Sequence, residues 1–333
     1  MSDHGAHARS PLSRRATLAG AAALAITLPA FRAAAEAYPA KSVRVLVAYA
    51  PGGGADTLAR LYFGALSEQL GAPFIVENRA GGGGTIAAGL AAKSAPDGYT
   101  VFHDATAFSI NPALVPQLPY DSLRDFVPVF LAGTLPLLIV VHPSVPARTV
   151  PELIAYAKSQ PGGLNWGSAG NGSVQHLALE MFANMAAVKL NHIPYKGGGP
   201  AMNDMLGGHI KFYFANTATI AGHLKSGALR AIAHCSTGRI GGFPDLPAVA
   251  DTVPGFAAFE WNGVFLPAGT PREVVVRLNT LLNGVLAYPS AKERLAQLSV
   301  ETRTNSPEEF AAFVTAEMSK WAKVIKDADI KLE

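Results

Sequence analysis

Residues 42–56 read SVRVLVAYAPGGGAD, and the parsing of the whole chain turns on this stretch. Its first eight residues are apolar and rich in valine, with one charge at Arg44, the composition of a buried strand. Pro51-Gly52-Gly53-Gly54 then breaks the strand. Beyond Asp56, apolar residues recur at Leu58, Leu61, Tyr62, Ala65 and Leu66, one face of a helix closed by Gly71. A strand that runs through a Gly-rich turn into a helix sets free backbone N–H groups and the positive helix end at the strand's carboxyl end. One such turn alone is as easily a tight connection.

The same grammar recurs outward. Residues 74–77 read as a strand, followed by Gly81-Gly82-Gly83-Gly84 and a helix over 85–94; 99–103 is a third strand, and 125–141 carries one or two more. Further on, a helix over 151–159 precedes a strand at 164–167, the turn Ser168-Ala169-Gly170-Asn171-Gly172-Ser173 and a helix through Met185. A strand at 189–195 ends in Lys196-Gly197-Gly198-Gly199, strands follow at 209–214 and 229–234, and helices close the chain at 271–287 and 307–326. Alternating strands and helices predict an α/β fold with largely parallel sheets in two lobes. The helices after Pro271 need a partner, and the first lobe is the natural one. The expected organisation is therefore 38–141 plus 262–333 as a discontinuous first lobe and 142–261 as the second, with crossings near His142 and Trp261. Ligands in open α/β sheets sit at the carboxyl ends of strands, so Gly-rich turns in both lobes predict a donor-lined cleft.

Competing chemistries fit less well. Gly82-Gly83-Gly84-Thr85-Ile86-Ala87 matches G-x-G-x-x-A, but it follows the second strand and the turn is lengthened by Asn78-Arg79-Ala80, which argues against a dinucleotide site. No P-loop and no G-x-S-x-G elbow are present. Ser173 and His176 share a helix face, yet no orienting carboxylate can be named, so a hydrolase is the weaker reading and Ser173 reads first as a helix cap. The histidines lack metal-ligand spacing. No cofactor, no metal and no catalytic residue are expected. Cys235 is the sole cysteine, so no internal disulfide is possible.

The N-terminus reads as a secretory leader over residues 1–37. Ser13-Arg14-Arg15 precedes an Ala-rich apolar run over 16–30, and Ala35-Glu36-Ala37 places cleavage before Tyr38. The paired arginines resemble a twin-arginine signal, with Thr17 and Ala19 departing from that pattern. Removing Arg9, Arg14, Arg15 and Arg32 with Asp3 and Glu36 brings the formal net charge of +3 close to zero. With no basic cluster left, nucleic acid is not an expected partner. The expected product is periplasmic, soluble, monomeric and not lipid-anchored.

VAYAPGGGAD (47–56), VENRAGGGGT (76–85), APDGYT (95–100), INPAL (110–114), LPY (118–120), NWGSAGNGS (165–173), HIPYKG (192–197) and FLPAGTP (265–271) occur together and in order. In this the chain resembles the Bug family, the substrate-binding proteins of tripartite tricarboxylate transporters. The resemblance implies a two-lobed type II periplasmic binding fold that closes like a flytrap on a small organic or amino-acid carboxylate. It also implies delivery to membrane permease subunits, or service as a sensor's receptor. Carried onto this chain, the ligand-binding positions are Pro51, Gly53, Gly54, Ala55 and Asp56 in one loop. In the other they are Ser168, Ala169, Asn171, Gly172 and Ser173, with His176 behind. Ala105, Phe108, Asn111, Tyr195 and Asn216 complete the set. Phe108 stands where the family commonly has His, and Ala215-Asn216 where it often has Asp-Asn. These departures predict a more apolar or aromatic carboxylate and weaken the case for an ammonium-bearing ligand.

Overall fold

The first strand, β1 (Val43–Val47), is buried at four of its five positions, and it pairs in parallel with β2 (Phe74–Asn78) and β3 (Thr100–Ala105). The structure is a computed structural model that describes residues 38–236, 238, 240, 242–327, 330 and 331. The leader over residues 1–37 lies outside the described residues. Between the first three strands run α1 (Gly54–Leu70), whose stripe Leu58, Tyr62, Phe63 and Leu66 is fully buried, and α2 (Thr85–Ala92). Next comes α3 (Ala107–Leu114) and then β4 (Phe126–Val141), a single strand of 16 residues.

The second half repeats the pattern. After α4 (Val150–Lys158) come β5 (Leu164–Ser168), α5 (Val174–Ala186), β6 (Leu190–Pro194), α6 (Gly198–Leu206), β7 (Phe212–Asn216), α7 (Thr217–Lys225) and β8 (Arg230–His234). The chain returns along β9 (Phe259–Pro267) and ends in α8 (Arg272–Val285), α9 (Pro289–Gln297) and α10 (Pro307–Asp327).

Strand order is β2-β1-β3-β9-β4-β7-β5-β6, with β8 also on β4. Each half is a parallel three-stranded set, β2-β1-β3 or β6-β5-β7, meeting a long antiparallel strand. The parallel strands are joined by helical crossovers, whereas β4 and β9 run between the halves and pair antiparallel. β4 pairs with β9 over Phe126–Pro136 and with β7 and β8 over Leu137–Val141, so it changes partners at Pro136. Proline lacks the ladder N–H, and here it sits where one ladder ends and the next begins. At Gly133 a Cβ would come within 2.6 Å of Val300 Cγ1, so glycine lets residues 300–302 approach the strand and form the Thr134–Glu301 bridge.

Topology also separates two turns that look alike in sequence. The Pro51–Gly54 turn follows the first strand of its half, while Lys196-Gly197-Gly198-Gly199 follows the second, so the latter corresponds to Gly81–Gly84. Among the C-terminal helices, α8 packs on β4 and α1, and α10 packs on α3 and β4. At the far end of α10, Trp321 and Ile325, with Ile330 beyond it, lie in a cluster with Ile110 and Leu114 of α3 and with Trp166, Leu177, Phe182 and Phe214. Among the described residues no helix is long and apolar enough to cross a membrane.

Candidate functional site

The helices that follow strands in the two halves begin beside one another. Gly53, Gly54 and Ala55 at the start of α1, Thr106 and Ala107 at α3, and Ser173, Val174 and Gln175 at α5 line a single cavity. Gly198 at α6 and Asn216, the cap of α7, complete its wall with Ala105, Ala169, Tyr49 and Glu260. Five helix N-termini therefore converge on one space. Each contributes first-turn N–H groups that no residue of its own helix can accept, and each carries a partial positive charge. The cavity holds about 20 Å³, room for about one water molecule.

The surrounding turns touch across the gap. The Ala50 N–H donates to Lys196 O at 2.9 Å. A Cβ at Gly199 would lie 2.1 Å from Pro51 O, and one at Gly83 would lie 2.1 Å from Asn171 O. The Gly-rich turns thus do two jobs: they expose N–H groups, and they let facing backbones meet. A second space of about 200 Å³ adjoins, lined by Gly81–Gly84, Asn171, Tyr195 and Lys196 and sharing Tyr49 and Ala169 with the first.

Of the positions expected from sequence, Gly53, Gly54, Ala55, Ala105, Ala169, Ser173 and Asn216 line the main cavity, and Asn171 and Tyr195 the adjoining one. Ser173 caps α5, accepting the His176 N–H at 3.3 Å, so its hydroxyl serves the helix and not a nucleophile. Gly172 donates its N–H to His176 Nδ1 at 3.3 Å, which places His176 behind the turn, stacked on His192 at 4.0 Å between ring centroids. Ser168 Oγ meets His192 Nε2 at 2.6 Å and accepts from the Gly170 N–H, and it is wholly buried beneath the turn.

Four further expected positions line neither space. Phe108 is fully buried, stacked on Phe265 at 4.1 Å and packed edge-on against Phe126. It completes the first half's aromatic core and cannot select a ligand by contact. Asp56, in the first turn of α1, accepts the Gly52 N–H at 3.0 Å and also holds Asn78 and Arg60. Burial alone would raise its pKa, but Arg60, the Gly52 N–H and Asn78 outweigh this and hold it below the usual aspartate range. Asn111 donates to Gly83 O at 3.0 Å and so braces the second Gly-rich turn. Pro51 is exposed at the rim.

The residues that sequence reading missed are Tyr49, Thr106, Ala107, Val174, Gln175, Gly198 and Glu260. Tyr49, Val174, Gln175 and Gly198 lie in or beside turns already singled out, and Thr106 and Ala107 follow β3. Glu260 had one signal, an acidic residue inside the apolar strand FEWNGVFLP. It is 4% exposed and accepts three amide N–H bonds, from Gln175 at 2.6 Å, Asn216 at 2.9 Å and Asn262 at 3.1 Å. Burial raises its pKa even so.

Asp104, also buried, is pushed up to about 7, first by burial and with Glu260 adding to the rise. A folded carboxyl that keeps its proton to higher pH than the unfolded chain makes stability fall as pH rises from the ordinary aspartate range to about 7. His176 and His192, depressed by burial to about 4 and about 3, act with the opposite sign; their contribution is present above about 6.5 and lost as pH falls. Asp104→Asn is therefore expected to melt higher than the wild type at pH 8, with the difference shrinking as pH falls below about 7 and closing only near pH 4. Melting curves across that range check it, and a constant difference would refute the assignment.

The fold and the cavity define a two-lobed α/β periplasmic binding protein. Residues 58–330 match the tripartite tricarboxylate transporter family receptor, and the chain belongs to that family. It is 35% identical over 302 residues to Protein BugT of Bordetella pertussis, covering 90% of this chain and 93% of that one. Among solved structures, R. palustris Rpa4515 with adipate superposes with a TM-score of 0.85 at 34% identity, covering 88% of this chain and 99% of that one. MatC from Rhodopseudomonas palustris with bound malate gives 0.83 at 31% identity, covering 86% and 100%.

Proposed function

We propose that this chain is an exported, periplasmic receptor that closes two lobes on a small organic carboxylate and hands it to the permease of a tripartite tricarboxylate-type transporter. The observation that carries this reading is the convergence of five helix N-termini on one cavity. Backbone donors there can hold a carboxylate without a fixed cation, and no lysine or arginine is among the residues lining it. Adipate and malate in the two solved relatives support the ligand class. The lobes are 38–141 with 262–333, and 142–261, and β4 and β9 are the two connections between them. A cavity of about 20 Å³ admits a dicarboxylate only when the lobes part, so bending of β4 near Pro136 is the natural opening motion. The receptor works as a monomer, returns its ligand unchanged and needs no cofactor.

A thermal-shift screen tests this. The purified protein, refolded to remove any carried ligand, is mixed with dicarboxylates, tricarboxylates, amino acids, aromatic carboxylates and nucleotides. A ligand at about 100 times its Kd adds roughly 2.7 kcal/mol, enough to raise Tm by several degrees. A selective rise with carboxylates is the expected result. A rise with nucleotides alone, or none with any carboxylate, counts against it.

A further inference from the structure

Asp104, near the end of β3, is wholly buried behind the surface that a ligand meets. Its neighbour Ala105 lines the main cavity. A Cβ at Gly84, on the wall of the adjoining space, would lie 3.3 Å from both of its carboxyl oxygens. Oδ1 accepts the Ala105 N–H at 2.7 Å, and Oδ2 is buried without a hydrogen-bond partner. The titratable groups that face this carboxyl are Tyr49 at the end of β1, Tyr120 in the segment after α3 and Glu260 of β9. Both phenols are pushed up by burial and stay neutral, and Glu260 is itself an acid, so none of the three offsets a charge on Asp104. The neighbouring helices α2 and α3 carry no titratable side chain. The start of α2 brings a partial positive charge, yet none of its N–H groups bonds Oδ2. His103 lies on the opposite face of β3, against Phe63 of α1.

Two buried acids thus stand at one wall, and they are held differently. Glu260 accepts three amide N–H bonds, whereas Asp104 accepts one and keeps a bare oxygen. Charge is the more poorly supported on Asp104. A carboxylate entering the cavity adds a negative charge beside this wall, and closure of the halves excludes water from it. Both effects oppose ionised Asp104 and leave its neutral form untouched. We infer that the receptor takes up one proton at Asp104 when it closes on a carboxylate ligand. The inference goes beyond the carboxylate-receptor reading and rests on it. Because the loaded state holds more protons than the free one, affinity falls as pH rises through the range where free Asp104 ionises. His176 and His192, on the other half, titrate at about 4 and about 3, below that range.

Calorimetry on the purified protein tests this with adipate, malate, glutamate and 3-phenylpropionate, whose carboxyls are all ionised at pH 7. Each titration is run in PIPES and in imidazole. These buffers differ in ionisation enthalpy, so the difference in heat counts the protons exchanged. The expected result for a ligand that binds is uptake of about half a proton or more at pH 7, with affinity falling roughly five-fold between pH 6.5 and 8. Asp104→Asn is expected to abolish the uptake and flatten the pH profile, and Glu260→Gln to keep both. Binding without proton uptake overturns the inference and leaves the carboxylate reading standing. So does an uptake that survives Asp104→Asn, or one that vanishes in Glu260→Gln alone. Binding by none of the four overturns both. The proton count on the unmutated protein stands even if a variant fails to fold.

Discussion

Gly54→Ala is expected to weaken ligand binding by about 100-fold while leaving the fold as stable as before or slightly more so. Gly54 opens α1 with ordinary helical backbone, so alanine there meets no conformational penalty, and as the better helix former it gains up to about 1 kcal/mol. The obstacle lies across the cleft. A Cβ at this position would sit 2.5 Å from Asn216 Nδ2 and 2.8 Å from Asn216 Oδ1. Asn216 cannot swing aside cheaply, because its side chain caps α7 and holds Glu260. Overpacking at such a contact costs about 1–3 kcal/mol, the upper end of which corresponds to about two decades of affinity. The collision exists only when the halves meet, so the cost falls on closure around ligand. Calorimetry and melting curves on the same variant check the two halves of the expectation. A loss of Tm with unchanged affinity would mean that the contact stabilises the unliganded chain and does not gate binding.

Phe108→Ala is expected to do the reverse. The ring is wholly buried among Phe102, Tyr120, Phe126 and Phe265. Truncation of a core phenylalanine costs about 3–5 kcal/mol, and for a chain of this size Tm should fall by roughly 10 °C. Ligand preference should stay as it was, since the ring has no face on the cavity. Melting curves read the first effect and a repeat of the ligand screen the second. A variant with wild-type stability and an altered preference would return Phe108 to the role its sequence context suggested.

The contrast between these two positions shows what could be read from the chain alone. Gly54 was singled out for the right region, because a Gly-rich turn between strand and helix is a local feature. Its closest neighbour, Asn216, is on β7 of the other half, and no local pattern pairs them. Phe108 was assigned to the ligand because it replaces a residue common in the family. Yet the side chain of a short helix can face either the cavity or the sheet, and only the packing of β3, β4 and β9 shows which. The last helix was assigned wholly to the first lobe, since its amphipathic stripe records that one face is buried without recording which surface covers it. Trp321 and Ile325 lie in a cluster that joins Ile110 and Leu114 of the first half to Trp166 and Phe182 of the second.

By itself the sequence determined the α/β class, the order of strands and helices, the Gly-rich turns at strand ends and the family. All of these follow from short-range periodicity, from turn chemistry and from motifs kept in order along the chain. The tertiary structure decided which helix starts share one cavity, that facing glycines set how closely the halves meet, and that Glu260 of β9 lines the same cavity. The reason is physical. Periodicity reports that a surface is covered, whereas a binding site is made by the groups that cover it, and here they come from turns and strands far apart in the chain.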